Sequence, residues 1–415
     1  MRVLLAPHGT RGDVQPMLAL AHALAARSHH VAFVAPSNFV EWIRSHGFAA
    51  ESNGVDVEAV LTEPGADLQS MRWQLGHLST VIARLFESLG HYAGDADLIV
   101  GAGIQMAASS VAEQRDIPYA SAVFCPCAVP SRATPPPPVK TQTLPRWVNR
   151  LLWDLGGPLS SLALRSPLNR GRAALGLRPL HDALDHLAGD LVLVAADRDL
   201  GPLAADAPRR AVATDAWVLA DAKAPLDPEL SAFLAIDPPP VYVGFGSMVA
   251  PRARALAGQV VAAVHATGRA AIVASGWADI GRYVDAGGDV LVARAVPHAV
   301  VFPHVGAVIH HGGAGTTTAA AAAGVPQVIL PHILDQFYWA HRVAQLGLGP
   351  RAMPVDLVTA DILAERLDGA LSDPRYRSRA IDIGRAVHAR NGAAAAVDHL
   401  ERLVSASVAA SGLAP

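Results

Sequence analysis

Short apolar runs alternate along the chain with longer stretches whose apolar residues recur at every third or fourth position. The runs at 2–6, 30–35, 97–101, 119–124 and 191–195 are too short for helices and are bounded by turn residues, so they read as buried strands. Between the first two, Pro16 opens a helix with Leu18, Ala21, Leu24 and Ala25 on one face. Residues 39–46 read as a short helix stopped by Gly47. Residues 68–90 carry Met71, Leu75, Leu78, Ile82, Leu85 and Leu89 at helical spacing, a stripe that suits a packed core or the wall of a pocket. A second series follows, with strands at 241–245, 271–275, 290–293, 307–309 and 327–331, a helix at 253–267, and a mainly helical stretch from 345 to 415.

Two strand–helix alternations of similar size predict an α/β protein, with two doubly wound parallel-sheet domains facing each other across a cleft. The boundary falls at 220–240, where scattered prolines end in Pro238-Pro239-Pro240. The expected division is 1–219, a linker at 220–240, a second domain at 241–395, and a C-terminal helix or tail at 396–415. Residues 126–145 include Pro135 to Pro138 and form no regular element; they suit a stiff surface loop or the wall of a binding site. The stretch 146–187, with Trp147, Leu151, Leu152 and Trp153, reads as helical.

Composition narrows this picture. A chain of 415 residues is too long for one ordinary core, and 51% hydrophobic with 17% charged residues is globular. A net charge of −3 gives no footprint for nucleic acid. Cys125 and Cys127 flank one proline, a spacing unsuited to zinc and too sparse for a disulfide framework, so a reducing, cytoplasmic setting is expected. The N-terminal run reads as a first strand rather than a signal peptide, and no apolar run reaches the roughly 18 residues of a membrane span. No strongly basic amphipathic helix stands out as a membrane anchor.

Chemistry concentrates at 307–336. A strand ends in His310-His311, a turn follows through Gly312-Gly313-Ala314-Gly315, and Thr316-Thr317-Thr318 opens an alanine-rich helix stopped at Gly324. A glycine turn at a helix N-terminus presents backbone N–H groups to an anion such as phosphate. Dinucleotide fingerprints fail: Val249 stands where Gly244-Phe245-Gly246 would need its third glycine, and Thr318 does so after Gly313-Ala314-Gly315. The Walker lysine is also absent, which leaves a diphosphate held by helix N-termini. Adjacent strand positions face opposite ways, so one of His310 and His311 suits the core and the other a phosphate, rather than the two forming a metal pair. Asp95-Ala96-Asp97 is read as a turn before a strand. His8 suits either a substrate contact or a hydrogen bond within its turn.

These motifs, in this order, resemble the nucleotide-sugar glycosyltransferases of the UDP-glucuronosyltransferase superfamily. The resemblance is carried by His310 to Thr317, Gly324 to Pro331 and Asp335-Gln336, with Gly9 to Pro16, Gly244 to Met248 and Val296-Pro297-His298. It covers nearly the whole chain and is nearest to bacterial enzymes that decorate glycopeptide and macrolide aglycones, with sterol glycosyltransferases further off. It implies the GT-B fold, an acceptor domain followed by a donor domain, and inverting, metal-independent transfer with the nucleotide sugar as co-substrate and no cofactor. Carried over residue by residue, Asp13 is the general base. His311, Gly313, Ala314, Gly315, Thr316 and Ser247 hold the diphosphate, aided by Thr10 and Arg11. Val296 reads the base, and Asp335 with Gln336 bonds the sugar. Trp277 either stacks on the base, in place of the family tryptophan where Ala295 stands, or packs in the core. Ala319 replaces a ribose-binding glutamate and leans toward a dTDP-sugar over a UDP-sugar. His8, Met71, Leu75, Phe86, Phe124 and Trp147 lie where the family binds its hydrophobic acceptor. Many members carry His where Asp13 stands, and an aspartate is a strong enough base only if burial raises its pKa. The rival readings are a lipid or sterol glycosyltransferase, a nucleotide-sugar epimerase or hydrolase, and a non-catalytic nucleotide-sugar-binding protein.

Overall fold

The computed structural model describes residues 1–63, 71–219, 226–248 and 253–410, with the side chains of 71–75 outside that description. Met71 and Leu75, expected on the acceptor side, and residues 220–225 of the expected linker therefore lie outside what is described here.

In the first half, β1 Arg2–His8, β2 His30–Ala35, β3 Ala49–Ser52, β4 Leu98–Gly103, β5 Tyr119–Val123, β6 Leu191–Val194 and β7 Ala211–Ala213 form one sheet. Its order is β3-β2-β1-β4-β5-β6-β7, and every described ladder is parallel. In the second half, β8 Val241–Gly244, β9 Ala271–Ala274, β10 Val290–Ala293, β11 Ala307–His310 and β12 Gln327–Ile329 form a parallel sheet in the order β10-β9-β8-β11-β12. The two-sheet α/β architecture is the one expected. β3, half polar, and β7, three residues long, carry no alternation long enough to read from sequence.

Strand apolarity follows from burial on both faces. In β1, Val3 and Leu5 pack with Met17 and Leu24 on one side, while Leu4 and Ala6 pack with Ile82 and Leu85 on the other. In β11, Ala307 and Ile309 face one layer and Val308 the other. A further apolar cluster joins the domains: Cys125, Cys127, Val194 and Leu200 of the first pack with Tyr338, Trp339, Val343 and Ile383 of the second.

The chain end returns to the first domain. Helix Gly392–Ala410 sets Ala393, Ala396, Val397 and Leu400 into the same cluster as Val3 and Met17. Arg27 pairs with Asp398 at 2.6 Å and Glu401 at 3.1 Å. At the crossing, Arg390 bonds the buried Asp197 at 2.7 Å and Asp199 at 2.5 Å. Arg342 donates to the Leu200 carbonyl at 2.7 Å.

Candidate active site

β1 and β11 are interior strands of their sheets, and the side chains of interest follow their C-terminal ends, as ligand sites in open α/β sheets do. In the first domain His8 of β1 stands opposite Gly103 of β4. Helix Arg11–Ala26 begins immediately after, five residues before the expected Pro16, because Thr10 and Asp13 form a capping box. The Thr10 N–H donates to Asp13 Oδ2 at 2.8 Å and its hydroxyl reaches the same oxygen at 3.4 Å. Two glycines confine the carboxylate. A Cβ at Gly9 would sit 2.2 Å from Oδ2, and one at Gly103 would sit 2.9 Å from Oδ1 and 2.3 Å from the His8 carbonyl oxygen. Burial raises the Asp13 pKa to about 6, against the lowering effect of the Thr10 bonds. The desolvation that an aspartate base requires is therefore present.

His8 is buried and its Nδ1 accepts from the Asn53 amide at 3.1 Å. Burial lowers its pKa to about 4, so the ring is neutral with its proton on Nε2.

The second domain repeats the geometry. His310 of β11 stands opposite Gly244 of β8. His310 is wholly buried, with Nε2 donating to Gln327 Oε1 at 3.0 Å and Nδ1 accepting the Gly312 N–H at 3.1 Å, as expected of the core member of the doublet. His311 lies between Gly246 and Gly313, where added Cβ atoms would sit 3.2 Å from Cε1 and 2.4 Å from Nε2. Its Nδ1 is buried without a protein partner. Burial, then the neighbouring His310, His332 and His298, holds its pKa well below the usual value. The ring is thus a neutral imidazole at neutral pH, not the imidazolium that a phosphate contact suggests.

Helix Ala314–Ala322 starts at Gly313 with no side chain capping it. The Thr317 N–H and hydroxyl both turn back to the Gly313 carbonyl at 2.9 Å, while Ala314, Gly315 and Thr316 supply the first-turn N–H groups. Gly315 meets nothing within 4 Å of its Cβ direction, so the approach to the helix end is open. Ser247 follows β8 in a turn through Gly246, whose φ is +58°. Val296 is buried beside Tyr242 and Phe302.

Asp335 begins helix Gln336–Leu346 without a capping bond from its side chain. Its pKa is raised to about 7, by burial first and then by the charge of Asp13. The helix that Asp13 opens contacts helix Ala314–Ala322 of the second domain, so the charge of Asp13 is felt at Asp335. Gln336 is already engaged at both ends: Oε1 accepts from His332 and Ile333 N–H groups at 2.7 and 3.1 Å, and Nε2 reaches Met248 Sδ at 3.1 Å. It braces the turn carrying Asp335, where Leu334 has φ +50°.

Arg11 stacks 4.9 Å over Trp42, and its charge helps to depress His298 of the second domain, whose pKa falls to about 3 through burial first. Trp277 packs on the first domain, 6.3 Å from the Phe39 ring, and so bridges the domains. Of the expected acceptor contacts, Phe86 is core, enclosed by Leu85, Leu89 and Gly171. Phe124 packs 6.0 Å from Trp217, and Trp147 is 70% exposed. Sequence reasoning missed Asn53, which fixes the His8 tautomer, and Gly103, which walls Asp13; a glycine at the end of a buried strand was the available signal for the latter. It also missed that the buried thiols Cys125 and Cys127, 2.8 Å apart, stand close enough to Asp335 for its charge to act on Cys125.

Comparison with known proteins adds an independent line. Residues 3–131 match the glycosyltransferase family 28 N-terminal domain, and 260–403 the erythromycin biosynthesis protein CIII-like C-terminal domain. The chain is 39% identical to glycosyltransferase GtfE of Amycolatopsis orientalis over 96% of this chain and 97% of that one. It is 37% identical to the vancomycin aglycone glucosyltransferase of the same organism over 95% and 96%. The solved structure of glycosyltransferase VinC in complex with dTDP superposes with a TM-score of 0.69 at 20% identity, over 98% of this chain and all of that one.

Proposed function

The chain belongs to the GT-B glycosyltransferases, and on that premise we propose that it moves a hexose or deoxyhexose, with inversion, from a dTDP- or UDP-sugar to a hydroxyl of a hydrophobic natural product such as a polyketide, macrolide or peptide aglycone. The observation that carries this reading is the pairing of two strand ends across the cleft. A desolvated carboxylate, Asp13, follows β1, and an uncapped helix N-terminus with a buried imidazole, His311, follows β11.

In this scheme the acceptor hydroxyl gives its proton to Asp13 as its oxygen forms the new bond to the anomeric carbon. The bond from that carbon to the diphosphate breaks on the opposite face, and its electron pair leaves with the diphosphate. First-turn N–H groups of Ala314, Gly315 and Thr316, with Ser247 and His311, meet that charge as it develops. Because these groups stabilise the leaving group, turnover without an added metal is expected, and the nucleotide sugar is the only co-substrate. Asp335 bonds sugar hydroxyls, held in place by the Gln336 brace. Ala319 favours a dTDP donor, and the enzyme is placed in the cytoplasm.

A mass-spectrometric screen of dTDP- and UDP-sugars against hydrophobic aglycones tests the reading. Mass gain of one hexose or deoxyhexose on an aglycone is expected. Donor consumption without an acceptor product would mark a hydrolase or epimerase. Donor binding without any turnover would mark a binding protein.

A further inference from the structure

Helix Arg146–Ala174 is 29 residues long and packs only part of its surface. Leu168 is buried in the first-domain core, and Arg172 is held by Glu113 at 2.7 Å. Asn149 and Trp153 tie its N-terminal half to the preceding loop through the Arg132 and Thr134 carbonyls. Along its outer side Trp147, Leu151, Leu155, Leu159 and Leu162 are 70%, 47%, 59%, 67% and 60% exposed. Their spacing of three and four residues aligns them on one face, a stripe about 22 Å long at the 1.5 Å rise of a helix. Single exposed leucines are ordinary, but a contiguous row of five large apolar side chains marks a contact surface.

Charge identifies what the row contacts. The helix carries Arg146, Arg150, Arg165, Arg170 and Arg172 against one acid, Asp154, and the loop 126–145 before it adds Arg132 and Lys140 with no acid at all. Of these, Arg172 is buried and Lys140 lies 5.6 Å over the Phe337 ring of the second domain. Asp154 is paired with Arg150 at 2.8 Å, which leaves Arg132, Arg146, Arg165 and Arg170 beside the row in a chain of net charge −3. A Trp- and Leu-lined face flanked by arginines is the pattern of a helix that lies in the plane of an anionic bilayer surface. The basic amphipathic helix that the sequence did not bring out is thus formed once the fold decides which residues of 146–174 are covered.

We propose that helix Arg146–Ala174 is a membrane-surface docking element, which seats the first domain on anionic phospholipid with Trp147 and the leucine row in the interface. The proposal does not depend on which acceptor the enzyme uses.

Vesicle flotation of the full chain tests it, with phosphatidylglycerol-containing vesicles set against pure phosphatidylcholine. The protein is expected to float with the anionic vesicles, to be released by high salt, and to remain behind with phosphatidylcholine alone. Leu155→Glu with Leu159→Glu is expected to reduce flotation at least tenfold, to roughly background, and Arg146→Gln to weaken it less. Circular dichroism and gel filtration check that the variants are folded. Absence of flotation on anionic vesicles, or flotation unchanged by the double variant, overturns the proposal. So does a wild-type dimer that the double variant converts to monomer, since the face would then be covered by a second copy. Capture of an acidic protein by the wild type but not the variant, without vesicle binding, overturns it as well.

Discussion

Oδ2 of Asp13 is held by the Thr10 N–H at 2.8 Å, so one carboxylate oxygen serves the helix start and the other remains for chemistry. Asp13→Asn keeps an acceptor for that N–H but cannot take a proton. Turnover should fall by about 10²–10⁴-fold while nucleoside diphosphate affinity changes by less than about twofold. Steady-state kinetics with calorimetric donor titration separate the two; near-normal turnover in the variant would remove Asp13 from the mechanism.

The base is active as carboxylate, and burial places its pKa at about 6. Acceptor kcat/KM should therefore rise with pH through about 6 and level off above it. Stability runs the other way. The folded pKa lies above the ordinary 3.8, so the folded state holds this proton more tightly and loses stability as pH climbs from about 4 to 6. Asp13→Asn should match wild type in thermal stability below pH 4 and exceed it by about 1–2 kcal/mol at pH 8, a figure reduced for partial solvent access.

His311 offers a neutral ring with an unpartnered Nδ1. A bound diphosphate should raise its pKa, so binding takes up a proton and tightens as pH falls. His311→Ala should weaken nucleoside diphosphate binding by about 10–30-fold, equivalent to one hydrogen bond to a charged group, and abolish most of that pH dependence. Calorimetry in buffers of different ionisation enthalpy reads both effects. Unchanged affinity in the variant would show that the ring does not touch the diphosphate.

Gly103 has φ +68°, and its α-carbon faces both the His8 carbonyl and Asp13. Gly103→Ala should cost about 1–3 kcal/mol of stability through strain and overlap. Turnover should fall more than donor affinity, because Asp13 is displaced. Thermal melting and a comparison of kcat with donor Kd test this; a fully active alanine variant would mean that the wall around Asp13 is not needed.

Arg390→Ala should destabilise the chain by about 3–5 kcal/mol, since it leaves the buried Asp197 carboxylate without its cation. Chemical denaturation measures it, and a loss below about 1 kcal/mol would show that water replaces the pair.

Much of this was legible before any coordinates. The strands at β1, β2, β8, β9, β10 and β11 are continuous apolar runs because both their faces are covered, and the glycine turn after His311 opens a helix, as its composition suggests. What escaped depends on contacts distant in sequence. Gln336, expected on the sugar, also braces its own turn through Met248 and the 332–333 N–H groups, contacts that no local pattern shows. Phe86 reads as either pocket or core, and Gly171 of a later helix decides for core. Trp277 could stack on a base or pack, and its neighbour Phe39 lies 238 positions earlier, beyond the reach of any local pattern. The start of the first helix moved from Pro16 to Arg11 because a capping box outweighs the proline signal.

The return of helix Gly392–Ala410 to the first domain has a mechanical consequence. The backbone crosses between the domains twice, once after Leu219 and again near Arg390, because the cores on either side of each crossing belong to different sheets. A body tethered at two separated points cannot swivel freely about either. A second tether therefore leaves the two domains fewer relative placements than a single linker would, and so favours the one in which the Asp13 helix meets the helix that follows the His311 turn.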